Sequence, residues 1–370
     1  MAVFSPDWSR VHQDESLGLL SPLLAFFSVL YGQGIGLRLL AYNRGLFKRK
    51  SLPGFVLSIG NLTAGGTGKT PATIMLAKWA SEKGYRVAVL SRGYKGRYKN
   101  KVLEVSDGTR IHSDPGVTGD EPYLLARKLS GIPVIISKTR YLAGLFAHGK
   151  FGSDFFILDD GFQHLDLKRD LDLTLIDASR PFGNGHLLPW GPLREPVDQL
   201  ARADAFILTR ASLCGSNGRA VDFLNRRFPT TPVFYGDHIP EKVVFPHSNS
   251  VCEAGILKGK RVLAFAGIAR PESFKDTLIR LGADTVYFKG FRDHHRFNRE
   301  EIQALIRRKE KINADCLLTT EKDWVRMSSF HPVPPDMGYL CIRFSLVSGE
   351  SEFFEMVNSA LSDYRRVIRK

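Results

Sequence analysis

The stretch Gly54-Phe-Val-Leu-Ser-Ile-Gly60-Asn-Leu-Thr-Ala-Gly-Gly-Thr-Gly-Lys-Thr70 decides how the rest of the chain is read. It opens as a short, β-rich apolar run and turns Gly-rich over 61–70. An apolar-periodic helix then follows through Ile74, Leu76, Ala77 and Trp79. A Gly-rich turn between strand and helix lets backbone N–H groups point at an anion, and the helix N-terminus adds its partial positive charge. The pattern is that of a phosphate loop, G-x-x-x-x-G-K-[ST], in which Lys69 reaches the β- and γ-phosphates and the Thr70 hydroxyl holds Mg²⁺. Thr63, Ala64, Gly65, Gly66, Thr67 and Gly68 form the rest of the cradle, with three glycines keeping its tight part permissive. One position departs from the pattern: Thr63 stands where the first Gly is expected. The plainer alternative is a Gly-rich connection with an incidental Gly-Lys-Thr, which ignores the strand and helix on either side.

At 370 residues the chain has room for two α/β units with a core in each. Its net charge of +14 points to an anionic partner: nucleic acid, an anionic membrane or a phosphorylated substrate. Cys214, Cys252, Cys316 and Cys341 are far apart, with no C-x-x-C pair, which argues against a disulfide scaffold or a zinc ribbon.

Upstream of the loop, Ser16 to Leu37 carries no charged residue, and Arg38, Arg44, Lys48, Arg49 and Lys50 follow it with no acid among them. An apolar helix followed by a basic cluster suits a segment in the cytoplasmic face of a membrane, with Lys and Arg on anionic headgroups. Asp7, Asp14 and Glu15 precede the run where a signal peptide wants basic residues. The competing reading is a hydrophobic helix buried against the main domain.

Downstream, Arg86-Val-Ala-Val-Leu-Ser91 reads as a buried strand, and Lys83 to Lys101 is a basic run on the rim where open α/β sheets bind ligands. Thr118-Gly-Asp-Glu-Pro122 opens a helix, where Asp120 reads first as a capping residue. Asp154-Phe-Phe-Ile-Leu-Asp-Asp-Gly-Phe-Gln-His164 has the form of a Walker B strand, ending in a metal-facing carboxylate at Asp159 or Asp160. Gly191-Pro-Leu-Arg-Glu-Pro196 is a stiff loop presenting Arg194. From about Tyr235 to Gly255 the pattern dissolves and reads as a linker. A second αβ series follows from Lys260, without a second Gly-Lys-Thr, and contains Asp293-His-His295 and Thr320-Glu-Lys-Asp323. These patterns predict an N-terminal segment over 1–50, a P-loop NTPase-like α/β/α domain over 51–235 and a smaller α/β domain over 236–370.

Taken together, Gly60–Pro71, Ser91-Arg-Gly-Tyr94, Gly119-Asp-Glu-Pro122, Asp159–His164, Gly191–Pro196, Asp293–His295 and Thr320–Asp323 closely resemble, in order and spacing, the tetraacyldisaccharide 4′-kinases of lipid A biosynthesis. The Thr63 departure is shared by that family. The resemblance implies an ATP- and Mg²⁺-dependent lipid kinase that phosphorylates the 4′-hydroxyl of a tetraacyldisaccharide 1-phosphate to give lipid IVA. Such an enzyme works at the cytoplasmic face of the bacterial inner membrane, with no nucleic-acid partner, and a monomer is expected. It places Lys69, Arg194, Asp120 and a histidine in catalysis, Asp120 as base. The motif does not separate His294 from His295, and His294 is preferred. Thr70, Asp159 and Asp160 fall to the metal, and Arg140, Asn61, Gln163 and His164 to the substrate. A regulatory nucleotide-hydrolysing switch, or an ATPase acting on nucleic acid, is the second reading. It leaves the apolar run unexplained, and no RNA-recognition signature is present.

Overall fold

The computed structural model describes residues 21–210, 218–327, 330 and 333–368. Ser16 to Leu20 of the uncharged run, the acidic residues ahead of it, Cys214, Arg369 and Lys370 lie outside the described residues. The strands of the first half are β1 (Phe55–Gly60), β2 (Val87–Ser91), β3 (Leu103–Ser106), β4 (Val134–Ile136), β5 (Phe155–Asp159), β6 (Leu171–Asp177) and β7 (Ala205–Thr209). Those that follow are β8 (Val233–Phe245), β9 (Ser250–Glu253), β10 (Arg261–Ala266), β11 (Asp284–Gly290), β12 (Cys316–Thr320) and β13 (Met337–Ser348).

β1 lies between β5 and β6, parallel to both. All three strands are buried along their whole length. A parallel sheet covered on both faces requires this, and it explains why these segments read as unbroken apolar runs. Phe55, Leu57 and Ile59 face one layer, packing with Ala72, Leu76 and Ala80 of the helix Lys69–Glu82. Val56 faces the other, with Ala143 and Ala147 of the helix Arg140–Phe151. The spacing of Ala72, Leu76 and Ala80 is that of one helical face.

The segment read as a linker is instead the hinge of the whole sheet. β8 runs for 13 residues, pairing in parallel with β7 through its first residues and antiparallel with β13 over the remainder. β9 returns against it. One 13-stranded sheet results, in the order β11-β10-β12-β13-β8-β7-β6-β1-β5-β2-β4-β3, with β9 on β8. Pro240, Glu241 and Lys242 hid the strand by interrupting its apolar pattern, and register shifts between Cys341 and Ile342 and between Leu346 and Ser348 absorb the irregularity. The chain then crosses back. The C-terminal helix Glu350–Ile368 packs Phe353, Val357 and Leu361 into the core of the first half, with Phe354 stacked on Trp79 at 4.9 Å between centroids.

The turns that follow β1, β5, β6, β10 and β12 all reach one cleft, at the carboxyl ends of strands where open α/β sheets bind ligands. At Gly60 an added Cβ would sit 2.4 Å from Phe162 Cβ and 2.6 Å from its backbone nitrogen, so the end of β1 passes directly against the turn after β5. Phosphate loop and acidic turn are thereby locked to each other by backbone contact.

Candidate active site

The phosphate loop is held on its outer side by the 191–196 loop. Ala64 N donates to Pro192 O (2.6 Å), Arg194 N donates to Leu62 O (2.9 Å), and Thr63 bridges Leu193. Gly65 and Gly68 adopt left-handed backbone, φ 121° and 86°, which a residue with a Cβ rarely adopts. Gly68 precedes the helix Lys69–Glu82 with no side chain capping it, leaving the first N–H groups of that helix directed at the cleft. Lys69 Nζ donates to Asn61 Oδ1 (2.9 Å) and lies 3.4 Å from Asp160 Oδ1. Asn61, expected among the substrate contacts, is fully buried, and instead steadies Lys69 and donates to Thr63 O (2.7 Å).

The two acids after β5 diverge as strand geometry requires. Asp159 is buried and accepts from Thr73 Oγ1 (3.1 Å) and Ser91 Oγ (3.3 Å). Burial, reinforced by Glu121 and Asp160, pushes its carboxyl up to about 7. Asp160 leaves the strand at φ 56° and takes Arg194 Nη1 on both oxygens at 2.9 Å. Although burial opposes it, the charges of Lys69 and Arg194 hold Asp160 well below the usual carboxylate range. The oxygen-only set of Thr70, Asp159 and Asp160 suits Mg²⁺.

Gln163 donates to Asn61 O (3.0 Å) and accepts from Arg194 (3.4 Å), while His164 Nε2 pairs with Asp166 (2.8 Å) beside the backbone of Arg140. Arg140 is buried, with its Nε lacking a hydrogen-bond partner, as does the buried Thr67 Oγ1 in the cradle. Orphaned buried donors are costly unless something satisfies them, and phosphate oxygens would. The cradle from Ala64 to Thr70, Asp159, Asp160, Arg140, Gln163, His164 and Arg194 line one cavity of about 1090 Å³, which also touches Tyr31 and Arg38 of the N-terminal helix and His294 and Lys322 of the second half.

Asp120 does not cap its helix. Gly119 takes that position, and the Asp120 side chain points across the cleft. His294 Nδ1 lies 3.1 Å from Asp120 Oδ2, and Arg326 Nε donates to the same oxygen at 2.8 Å. Burial raises the proton affinity of Asp120, but the His294 hydrogen bond and the charges of Lys322 and Arg326 outweigh it and hold the group well below the usual range. His295 turns away, with Nε2 on Glu301 (2.9 Å) and its ring stacked on Phe291. The structure therefore brings His294, and not its neighbour, to the carboxylate.

The sequence matches the family model for tetraacyldisaccharide-1-P 4′-kinase over residues 20–362. The chain belongs to the tetraacyldisaccharide 4′-kinase family. Such a kinase from Syntrophus aciditrophicus is 41% identical over 349 residues, spanning 92% of this chain and 93% of that protein. One from Geobacter metallireducens is 42% identical over 309 residues, 84% and 89% of the two chains. Among solved structures, LpxK from Aquifex aeolicus, crystallised in complex with ATP, superposes with a TM-score of 0.72 at 32% identity, covering 92% of this chain and 98% of that one.

Three features of this 4′-kinase site escaped sequence reading. Arg326 lies outside every motif, and only the fold brings it to Asp120. Arg210 and Arg270 both ion-pair with Asp177 at the end of β6, joining the halves beside the cradle, where Arg210 also donates to Gly66 O (3.2 Å). His238, from the start of the supposed linker, packs against Gly68. A Cβ there would lie 2.0 Å from its Nε2, and burial together with Arg210 pushes the imidazole down to about 4, keeping it neutral. Gly68→Ala therefore meets both a left-handed backbone, disfavoured by about 1–2 kcal/mol, and the His238 ring. Calorimetric titration should show ATP affinity reduced at least about tenfold, the equivalent of roughly 1.4 kcal/mol; wild-type affinity would show that the cradle tolerates a Cβ.

Proposed function

We infer that this chain is an ATP-dependent tetraacyldisaccharide 4′-kinase, transferring the γ-phosphoryl group to the 4′-hydroxyl of a tetraacyldisaccharide 1-phosphate and yielding lipid IVA and ADP. The observation that carries the mechanism is one cavity lined both by the Lys69-bearing phosphate cradle and, from the opposite wall, by His294, whose ring is paired with Asp120 behind it. The bond formed joins the sugar oxygen to the γ-phosphorus, the bond broken joins that phosphorus to the β-bridging oxygen, and the hydroxyl proton passes to Asp120 with His294 as its partner. A sugar hydroxyl is a poor nucleophile at neutral pH, so a carboxylate aligned to accept its proton is needed as the new bond forms. Backbone N–H groups of the loop and Lys69 bind the phosphates, and Arg194 balances charge gathering on the transferred group. Mg²⁺, held by Thr70 with Asp159 or Asp160, would supply further neutralisation of the phosphate oxygens. Arg140, with Gln163 and His164 around it, serves phosphate on the lipid side. The switch reading falls to the family assignment.

The membrane reading rests on the helix Ser21–Asn43. One side docks on the site: Ser28 Oγ donates to Leu187 O (2.9 Å), Tyr31 OH to Arg194 O (2.8 Å) and Arg38 Nη2 to Gln163 O (2.8 Å). The other side exposes Leu23, Phe26, Phe27, Val29 and Leu30. A helix pinned by polar contacts to catalytic loops while baring aromatic and aliphatic groups suits the cytoplasmic interface of the inner membrane, where it would deliver an acylated acceptor to the cavity. Arg44, Lys48, Arg49 and Lys50 follow toward the headgroups.

Two tests follow. Lys69→Ala or Asp120→Asn should reduce phosphate transfer to the lipid by about 10²-fold or more while thermal unfolding stays within a few degrees; retained turnover in either would remove that residue from the mechanism. The triple replacement Phe26→Ser, Phe27→Ser, Leu30→Ser removes roughly 1.5–3 kcal/mol of burial per side chain. Co-sedimentation with anionic vesicles should then weaken at least about 100-fold without loss of ATP binding, whereas undiminished sedimentation would place the anchor elsewhere.

A further inference from the structure

Arg326 ends the helix Glu321–Arg326 and is nearly enclosed, with its side chain 8% exposed. Its Nε and Nη2 both donate to Asp120 Oδ2, while Nη1 donates to Asp323 Oδ1 (2.7 Å) and to Gly267 O (2.6 Å). Asp323 is fully buried, and its Oδ2 accepts from Thr320 Oγ1 (2.7 Å) and Gly267 N (3.0 Å). The same Gly267 carbonyl accepts from His294 N (3.0 Å), fixing a residue whose left-handed backbone, φ 59°, is rare for a non-glycine. A Cβ on Gly267 would lie 3.1 Å from Asp323 Oδ1 and 3.2 Å from His295 Cβ. One peptide beyond β10 therefore sets both the guanidinium and the histidine that converge on Asp120.

We propose that Arg326 is a positioning residue for phosphoryl transfer: together with His294 it occupies Asp120 Oδ2, fixing the carboxylate plane so that Oδ1 is the oxygen presented to the acceptor hydroxyl. This rests on the reading of Asp120 and His294 as the pair that handles the proton. Joining the two halves is not a sufficient account of Arg326. The same two helices are already tied by Lys322 to Glu121 (2.6 Å) and Lys128 to Glu321 (2.8 Å). Lys322 stands 4.0 Å from Asp120 Oδ2, leaving the fork of Arg326 to orient that carboxylate. A guanidinium there lowers the basicity of Asp120, which would be self-defeating if proton affinity limited the reaction. In the loose transition state of phosphoryl transfer, catalysis is mainly positioning and charge stabilisation, so a weak base held at the right angle serves better than a strong one that swings. A lysine could supply the charge but could not span Oδ2, Asp323 and Gly267 O together.

The test is steady-state kinetics on the full chain with ATP and the lipid acceptor, alongside thermal unfolding, for Arg326→Gln, Arg326→Lys, Asp120→Asn and the double variants. Arg326→Gln should lower kcat about 100-fold and leave KM for ATP within about twofold, with Arg326→Lys recovering part of the loss. In the Asp120→Asn background the Arg326 change should cost nothing further, because its only route to the chemistry is gone. Equal losses in both backgrounds, or unfolding at lower temperature with kcat intact, would overturn the proposal and leave Arg326 a structural tie. If glutamine, by stranding Asp323, prevents folding, Arg326→Lys and its double with Asp120→Asn give the same comparison. An Asp120→Asn single variant of wild-type activity would sink the underlying base assignment instead, a result distinct from failure of the Arg326 proposal.

Discussion

The architecture turns on a buried anion. Asp120 sits at 7% exposure in a cleft wall, and a carboxylate removed from water needs opposite charge and hydrogen bonds at close range. Its own half offers none of them among the interactions described above; His294, Lys322 and Arg326 all come from beyond β8. The first half supplies the carboxylate and the second half its partners, so the Asp120–His294 contact depends on how the two halves are held together. Asp177 differs in drawing on both halves, with Arg210 from its own half and Arg270 from the far side of the cleft.

That dependence explains the form of the sheet. Two separate α/β units on a flexible tether would place Asp120 and His294 together only some of the time. Here β8 and β13 run as long paired strands through the junction, and the C-terminal helix returns to the first core. Because the pairing reverses direction at β8 and β13, the end of β10 comes to face the end of β1: a Cβ on Gly66 would meet Ala269 Cβ at 3.4 Å. The phosphate loop and the acids after β5 are thereby set on rigid strand ends that face the second half. The N-terminal helix is tied to the same loops through Tyr31 and Arg38.

Much of this was legible in the chain because its signals are local. The strand, loop and helix around Lys69 follow from apolar runs and glycines in sequence. The acids after β5 were readable because a strand end must project them. The motif order also pointed to the family. Three-dimensional pairing was legible only through the family resemblance. Asp120 alone looks like a helix cap; the resemblance set it with a histidine, and the fold shows Gly119 at the cap and His294, 174 positions away, as the partner. The motif alone did not separate His294, which was preferred, from His295; the turn there puts His294 on Asp120 and His295 on Glu301. β8 was hidden because its exposed and half-buried stretch breaks the apolar pattern at Pro240–Lys242. Asn61, which the resemblance gave to the substrate, is fully buried and supports Lys69.

The central claim is that a phosphate cradle and a carboxylate on opposite walls act on one sugar hydroxyl between them. It is tested most directly by locating the transferred phosphate. Purified protein, ATP and tetraacyldisaccharide 1-phosphate are incubated in detergent micelles, and the lipid product is examined by proton–phosphorus correlation NMR. The account predicts a second phosphate coupled to the proton at the 4′ carbon, formed one for one with ADP. Phosphate found only in solution, or coupled to a proton at another ring position, would contradict it.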